Sequence, residues 1–251
     1  MSTTGSGVGS MTDVRMPPSS DASRYEPTIS EEHAERIRQW HERAYSEGRA
    51  KAGSEQTFDY LGATIVVPSE VMPITPVSHL LGEAVRAAVQ PSDRVLDMGT
   101  GSGVNAILAA LEGADVVAVD INPRALDAAR ANAERNGVAD RVEVRHSDVF
   151  SHVTETFDLI VFDPPFRWFR PRDLLEAAMT DEGYRAMTRF FHQARSHLSA
   201  RGEMLIFFGT SGDIGYLDKL MQFDGFTAEV VAHDGGVKDG WKVDYFTFRL
   251  A

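Results

Sequence analysis

The segment "RVLDMGTGSGVNAILAALEGADVVAVD", Arg94 to Asp120, reads as a short apolar strand, a glycine turn, an apolar helix and a second apolar strand. Each strand is apolar on successive residues, so each needs cover on both faces. Two strands joined through a helix lie parallel in one sheet. This unit confines the chain to a parallel sheet with helices on both sides.

The alternation runs from Val77 to the C-terminus. "VSHLLGEAVRAAV" reads as a helix with Leu80, Leu81, Ala84, Val85 and Ala88 on one face. "PRALDAARANAERNG" reads as a helix with Pro123 in its first turn and Gly137 past its end. "RVEVRHSD", "FDLIVFD", "GEMLIFFG", "TAEVVAH" and "DYFTFRL" read as strands. A helical stretch from Asp173 to Leu198, interrupted near Gly183, and "YLDKLMQFDG" supply further cover. The last two strands are separated by "DGGVKDGWK", too short for a crossover helix, so they pair antiparallel. The expected fold is α/β, a seven-stranded, mainly parallel, Rossmann-like sheet with an antiparallel last strand.

Ahead of this domain, placed at 77–251, lies an extension at 28–76. Ser30 can cap a helix that opens with Glu31 and Glu32 and carries Ile37, Trp40 and Ala44 on one face. "TFDYLGATIVVP" alternates around a glycine, which predicts a short hairpin. Residues 1–27, rich in Ser, Thr, Gly and Pro, read as a disordered tail; a tail folded over the active site is the alternative. The N-terminus has no apolar signal region, and no apolar run approaches the ~18 residues of a membrane span. With no cysteine, disulfides, thiolate metal sites and cysteine nucleophiles are excluded, and a cytoplasmic location is expected. The net charge of −12 disfavours a grip on long nucleic acid.

"VLDMGTGSG" holds the most informative turn. Its glycines Gly99, Gly101 and Gly103 follow Asp97 at a strand end and open a helix, with Thr100 between them. A dinucleotide fingerprint would need a glycine at Val104. An acid at Asp97 suits a cationic amino acid group better than a pyrophosphate. S-adenosyl-L-methionine carries such a group and no phosphate. The next strand ends in Asp120, placed to accept ribose hydroxyls, with Ile121 after it. The third ends in "HSDVF", where Asp148 can accept the adenine amine, with Val149 or Phe150 beside the ring. The expected cofactor contacts are therefore Asp97, Gly99, Thr100, Gly101, Gly103, Asp120, Ile121, Asp148 and Val149.

The fourth strand delivers "DPPF" to the same edge. Proline fixes φ and holds the residue before it extended, and neither Pro164 nor Pro165 donates a backbone hydrogen bond. The Asp163 carboxylate and the Pro164 carbonyl are then fixed acceptors beside the flat face of Phe166. This set suits a planar nitrogen bearing N–H bonds, and Asp163, Pro164, Pro165 and Phe166 are the expected catalytic residues. Arg167, Arg170 and Arg172 follow, able to hold a substrate carboxylate or phosphate, or to face solvent as loop charges. Trp168 and Phe169 are either walls of the substrate pocket or core anchors. His33 and His41 are expected to be solvated; His79 and His233 are candidates to reach the active-site edge, and "HDGGVKDGWK" to be a lid or a plain hairpin loop. No histidine spacing suggests a metal site.

These motifs, with "VVAVDINPRAL" and "LIVFDPPF", resemble class I S-adenosyl-L-methionine-dependent methyltransferases, and more closely the HemK-type N-methyltransferases. The resemblance covers roughly Phe58 to Leu250 and implies the methyltransferase form of the sheet. Its Asn/Asp-Pro-Pro-aromatic motif implies N-methylation. Glutamine methyltransferases of this family carry Asn and usually Tyr where this chain has Asp163 and Phe166. They carry R-P-E-T-E where it has Thr75 to His79. A carboxylate only accepts hydrogen bonds, so Asp163 suits a guanidine or an aminated ring. The expected acceptor is a planar nitrogen (guanidine, amide or amine) of a small amino-acid-like metabolite or a peptide side chain. The alternatives are a base in rRNA, tRNA or DNA and release-factor glutamine.

Overall fold

The computed structural model describes residues 25–51, 55–238 and 240–251. In chain order they form α1 (Glu31–Lys51), β1 (Gln56–Tyr60), β2 (Ala63–Val67), α2 (His79–Ala88), β3 (Arg94–Met98), α3 (Val104–Leu111), β4 (Asp115–Asp120) and α4 (Pro123–Arg135). There follow β5 (Val142–His146), β6 (Phe157–Phe162), α5 (Leu174–Ala177), α6 (Arg185–Ala194), β7 (Leu198–Gly209), α7 (Ile214–Phe223), β8 (Ala228–Lys238) and β9 (Trp241–Leu250).

The main sheet has the order β5-β4-β3-β6-β7-β9-β8. Strands β5 to β7 pair in parallel, and β9 runs antiparallel to both β7 and β8. The seven strands and the antiparallel last strand agree with the expectation from sequence. Successive residues of the central strands enter opposite cores. Val95, Leu159, Val161 and Leu205 pack in one cluster with α2, α3 and β2. Leu96, Ile160, Met204 and Ile206 pack in the other with α6 and α7. That two-sided burial is why these strands are apolar throughout.

The β1–β2 hairpin turns on Leu61 (φ 49°) and Gly62 (φ 88°), the pair of left-handed residues that suits a two-residue hairpin loop. Its outer edge is completed by α4. Asn132 accepts from Val66 N (2.9 Å) and donates from Nδ2 to Val66 O (2.8 Å) and Ser102 O (2.9 Å). Asn136 treats Thr64 in the same way. Two side-chain amides thus satisfy backbone groups that a neighbouring strand would otherwise take.

Three regions differ from expectation. Residues 234–238 and 241–242 of the "DGGVKDGWK" segment are ladder, because β8 and β9 stay paired out to Lys238 and Trp241. The stretch after Asp173 breaks at Gly183 (φ 62°) as expected, but ahead of that break only the four residues of α5 are α-helical, with α6 following. Of the expected tail, residues 1–24 lie outside the described residues, while Tyr25 is packed: its hydroxyl donates to Asp213 Oδ2 at 2.9 Å. Among the described residues, no helix is long and apolar enough to cross a membrane.

Asn132 is fully buried, so Asn132→Ala strands several backbone groups, at roughly 1–3 kcal/mol for each left unsatisfied. Urea unfolding should show a clear loss of stability, and hydrogen exchange should show faster opening at Thr64 and Val66. Unchanged protection there would contradict the edge-completing role.

Candidate active site

Parallel pairing brings the key loops together. Asp97 pairs with Val161 and Met98 with Phe162, so the glycine loop leaves β3 level with Asp163 leaving β6. The loops after β4 and β5 open at the same edge. Together they line a cavity of about 710 Å³, within the ~300–1,000 Å³ usual for ligand sites. Of the residues singled out by sequence, Gly99, Thr100, Gly101, Asp120, Ile121, Asp148, Val149 and Asp163 to Phe166 line it. Asp97 and Gly103 do not.

Asp97 is buried beneath the loop. Its Oδ2 accepts from Thr100 Oγ1 and from Ala106 N (3.1 Å), so it braces the turn from below instead of facing a ligand ammonium. Burial pushes its carboxyl up to about 6. Gly103 serves packing: at φ 85° it starts α3, and a Cβ there would meet Ala129 Cα of α4 at 3.0 Å. Gly99 (φ 69°) and Gly101 (φ 55°) are different. A Cβ on either would meet no protein atom closer than 3.8 Å, and both residues line the cavity. They form a cradle in which backbone can approach a ligand closely.

Asp120 is already engaged, accepting from Gly101 N (2.9 Å) and Asn122 N (2.8 Å), and burial raises its pKa. It ties the glycine loop to β4 while still lining the cavity. Asp148 is gripped by Arg189 of α6 at 2.6 and 3.0 Å, a partner with no sequence signal. Val149 sits at φ 53°, uncommon for a β-branched residue and often a mark of a functional site. Its carbonyl is held by Ser147 Oγ at 2.6 Å.

Asp163 stands apart. Its side chain has no hydrogen-bond or ion-pair partner among the described residues. Its side chain is exposed toward the cavity, and desolvation by the surrounding walls, with the Asp97 charge added, pushes its carboxyl up to about 7. Phe166 packs against Phe208 at 4.9 Å, and its carbonyl accepts from the Tyr184 hydroxyl.

Helix α1 forms a further wall, through Trp40 and Ala44. Its apolar face was legible; its docking partner was not. Trp40 lies over the Arg167 guanidinium at 4.5 Å, and Arg167 is itself 7% exposed and lines the cavity. Burial pushes its pKa down to about 10, still charged near neutrality. Arg172 instead pairs with Glu176 (2.6 Å) and Glu42 (3.0 Å), and Arg170 is exposed. His41, expected in solvent, is 1% exposed and hydrogen-bonded to Glu176 at 2.8 Å. Burial pushes the imidazole down, while Arg172 and His41 outweigh burial and hold Glu176 at about 2, so a neutral ring beside a carboxylate results. His33 is half-buried against Trp241. Trp168 and Phe169 stay off the cavity wall, packing with Tyr25 and with His41. His79 binds Pro76 O and His233 binds Asp244; neither lines the cavity.

The donor set fits S-adenosyl-L-methionine. The glycine cradle admits close backbone approach, and acids at Asp120, Asp148 and Asp163 suit a cationic ligand and would repel a pyrophosphate.

Residues 74–237 match the family described as methyltransferase small domain. The release factor glutamine methyltransferase of Rhodopirellula baltica is 32% identical over 171 residues, 59% of this chain and 57% of that protein. The ribosomal protein uL3 glutamine methyltransferase of Bordetella pertussis is 32% identical over 159 residues, 57% and 53% of the two chains. The chain therefore spans little more than half the length of either relative. In fold it is similar to the ribosomal protein L11 methylase of Lactobacillus delbrueckii, with a TM-score of 0.54 at 20% identity over 71% of this chain and 80% of that one.

A carboxyl raised in the folded state binds protons that the unfolded chain releases, so it stabilises below its unfolded pKa and that stability is lost as pH rises through the folded value. Asp163 should therefore lower stability between about pH 4 and pH 7. Asp163→Asn should flatten that slope in urea titrations and be the more stable form at pH 8. A slope identical to the parent's would contradict the raised carboxyl.

Proposed function

The chain belongs to the methyltransferase small domain family of S-adenosyl-L-methionine-dependent enzymes, and on that premise we propose that it methylates a planar nitrogen held at Asp163 to Phe166. The acceptor is a small amino-acid-like molecule or a peptide side chain. The observation that carries this reading is Asp163: a carboxyl without a protein partner, on the wall of the cavity that the glycine loop also lines.

Gly99, Thr100, Gly101, Asp120, Ile121, Asp148 and Val149 would hold the cofactor, with Asp97 and Gly103 keeping the turn in shape. When bound, S-adenosyl-L-methionine supplies an electrophilic methyl group on a sulfonium. The rest is placement. Asp163 and the Pro164 carbonyl accept the nitrogen's hydrogens, and Phe166 offers its plane, which fixes the direction of the nitrogen lone pair. Methylating a neutral N–H nitrogen releases one proton. Asp163, titrating near neutrality, is the group against that nitrogen able to take it.

A peptide glutamine is favoured by the names of the two relatives above. A compact acceptor is favoured by α1, whose Trp40 and Ala44 occupy the cavity wall. Long nucleic acid is disfavoured by the lining, where Asp120, Asp148, Asp163, Asp181 and Glu182 outnumber Arg167 and Arg185.

The test is transfer of radiolabelled methyl into cell extract split into small-molecule, protein and RNA fractions. Label should enter the small-molecule or protein fraction as an N-methyl group. Asp163→Ala should reduce transfer at least ~100-fold, the scale of a lost acid–base group, while calorimetric binding of S-adenosyl-L-methionine stays within a few-fold. Lost cofactor binding would contradict the assigned roles, and an O-methyl or C-methyl product would contradict the acceptor class.

A further inference from the structure

Three arginines follow the double proline, and their surroundings separate them. Arg172 is engaged by Glu176 and Glu42, and Arg170 is exposed. Arg167 is buried, yet among the described residues it has no carboxylate partner and its side chain makes no hydrogen bond to protein; its Nε is sealed from solvent without one. The groups facing it are the Trp40 ring, the phenols of Tyr184 and Tyr245, and the His41 imidazole, none of them an anion. Arg185, the other arginine on the cavity wall, is paired with Glu182 at 3.4 Å. A buried cation without an anion is costly to keep, so an anionic ligand group placed against it would be favoured.

Its placement says where that ligand binds. Arg167 lies four residues after Asp163 on the same loop and lines the same cavity. Trp40 covers the guanidinium face, as cation–π contact requires. The N–H edge of a guanidinium so stacked remains free for a fork-to-fork contact with two oxygens. The backbone is fixed as well: Arg167 N donates to Met179 O (3.3 Å), and Arg167 O accepts from Asp181 N (2.7 Å).

We infer that Arg167 holds a carboxylate of the methyl acceptor, so that the acceptor is a small acid bearing its planar nitrogen at Asp163 and its carboxylate at Arg167; this rests on the nitrogen-methylation reading above. A carboxylate is favoured over a phosphate by charge. Five acids line the same cavity, and a second negative charge on the ligand would find no second unpaired cation among the described lining residues.

Calorimetry on the full chain with S-adenosylhomocysteine bound tests this, using benzoate, its neutral isostere benzamide, and phenyl phosphate as probes. Benzoate should bind at least tenfold more tightly than benzamide, and more tightly than phenyl phosphate. Arg167→Gln should remove the preference for benzoate while leaving S-adenosylhomocysteine affinity unchanged. If Arg167→Gln fails to fold, Arg167→Lys keeps the charge without the fork and should weaken benzoate several-fold with benzamide unmoved. Equal binding of benzoate and benzamide to the parent, a preference surviving in the variants, or tighter binding of phenyl phosphate would overturn the assignment. Failure of S-adenosylhomocysteine itself to bind would instead sink the methyltransferase reading on which it rests.

Discussion

Everything at the candidate site depends on the level parallel pairing of β3 with β6. Because Met98 lies opposite Phe162, the glycine loop and Asp163 leave the sheet side by side. A shift of one residue would turn each strand's side chains to the other face, and both strands are buried on both faces, so the two cores lock the register. The cavity is thus a consequence of core packing. Asp97 adds a local brace, holding the turn through Thr100 and Ala106.

The loop that carries Asp163 to Glu176 is held from both sides. On one side the Tyr184 hydroxyl donates to Phe166 O and accepts from Asp213 N at 2.9 Å. Asp213 also caps α7 and accepts from Thr28 N at 2.7 Å, tying the start of the described chain to this loop. Gly212 lets the loop pass, because a Cβ there would overlap the Phe166 carbonyl. On the other side α1 packs Trp40 over Arg167 and His41 against Glu176. A site held this way is preorganised, which is what a transfer governed by orientation needs.

The strands, the glycine turn and the double proline were legible because each is a local signal: apolar runs, positive-φ glycines, prolines at a strand end. The acid and glycine positions on the cavity wall followed from placing those signals on one sheet edge. What stayed illegible depends on contacts far apart in sequence. Asn132 and Asn136 look like ordinary polar helix residues, yet they complete the edge of β2. Arg189 reaches Asp148 only because α6 packs beside the end of β5. His41 looks solvated on a polar helix until α5 supplies Glu176. The three arginines after the prolines are equivalent in sequence, and only contacts with α1 and α5 separate buried Arg167 from ion-paired Arg172.

We propose that one cavity holds the cofactor on the glycine cradle and presents its sulfur to Asp163. A crystal structure with S-adenosylhomocysteine tests this most directly. The ligand's backbone-facing side is expected on Gly99 and Gly101, its ribose at Asp120, its base beside Ile121 and Val149, and its sulfur turned toward Asp163 and Phe166. A ligand bound elsewhere, or bound with its sulfur facing away from Asp163, would contradict it.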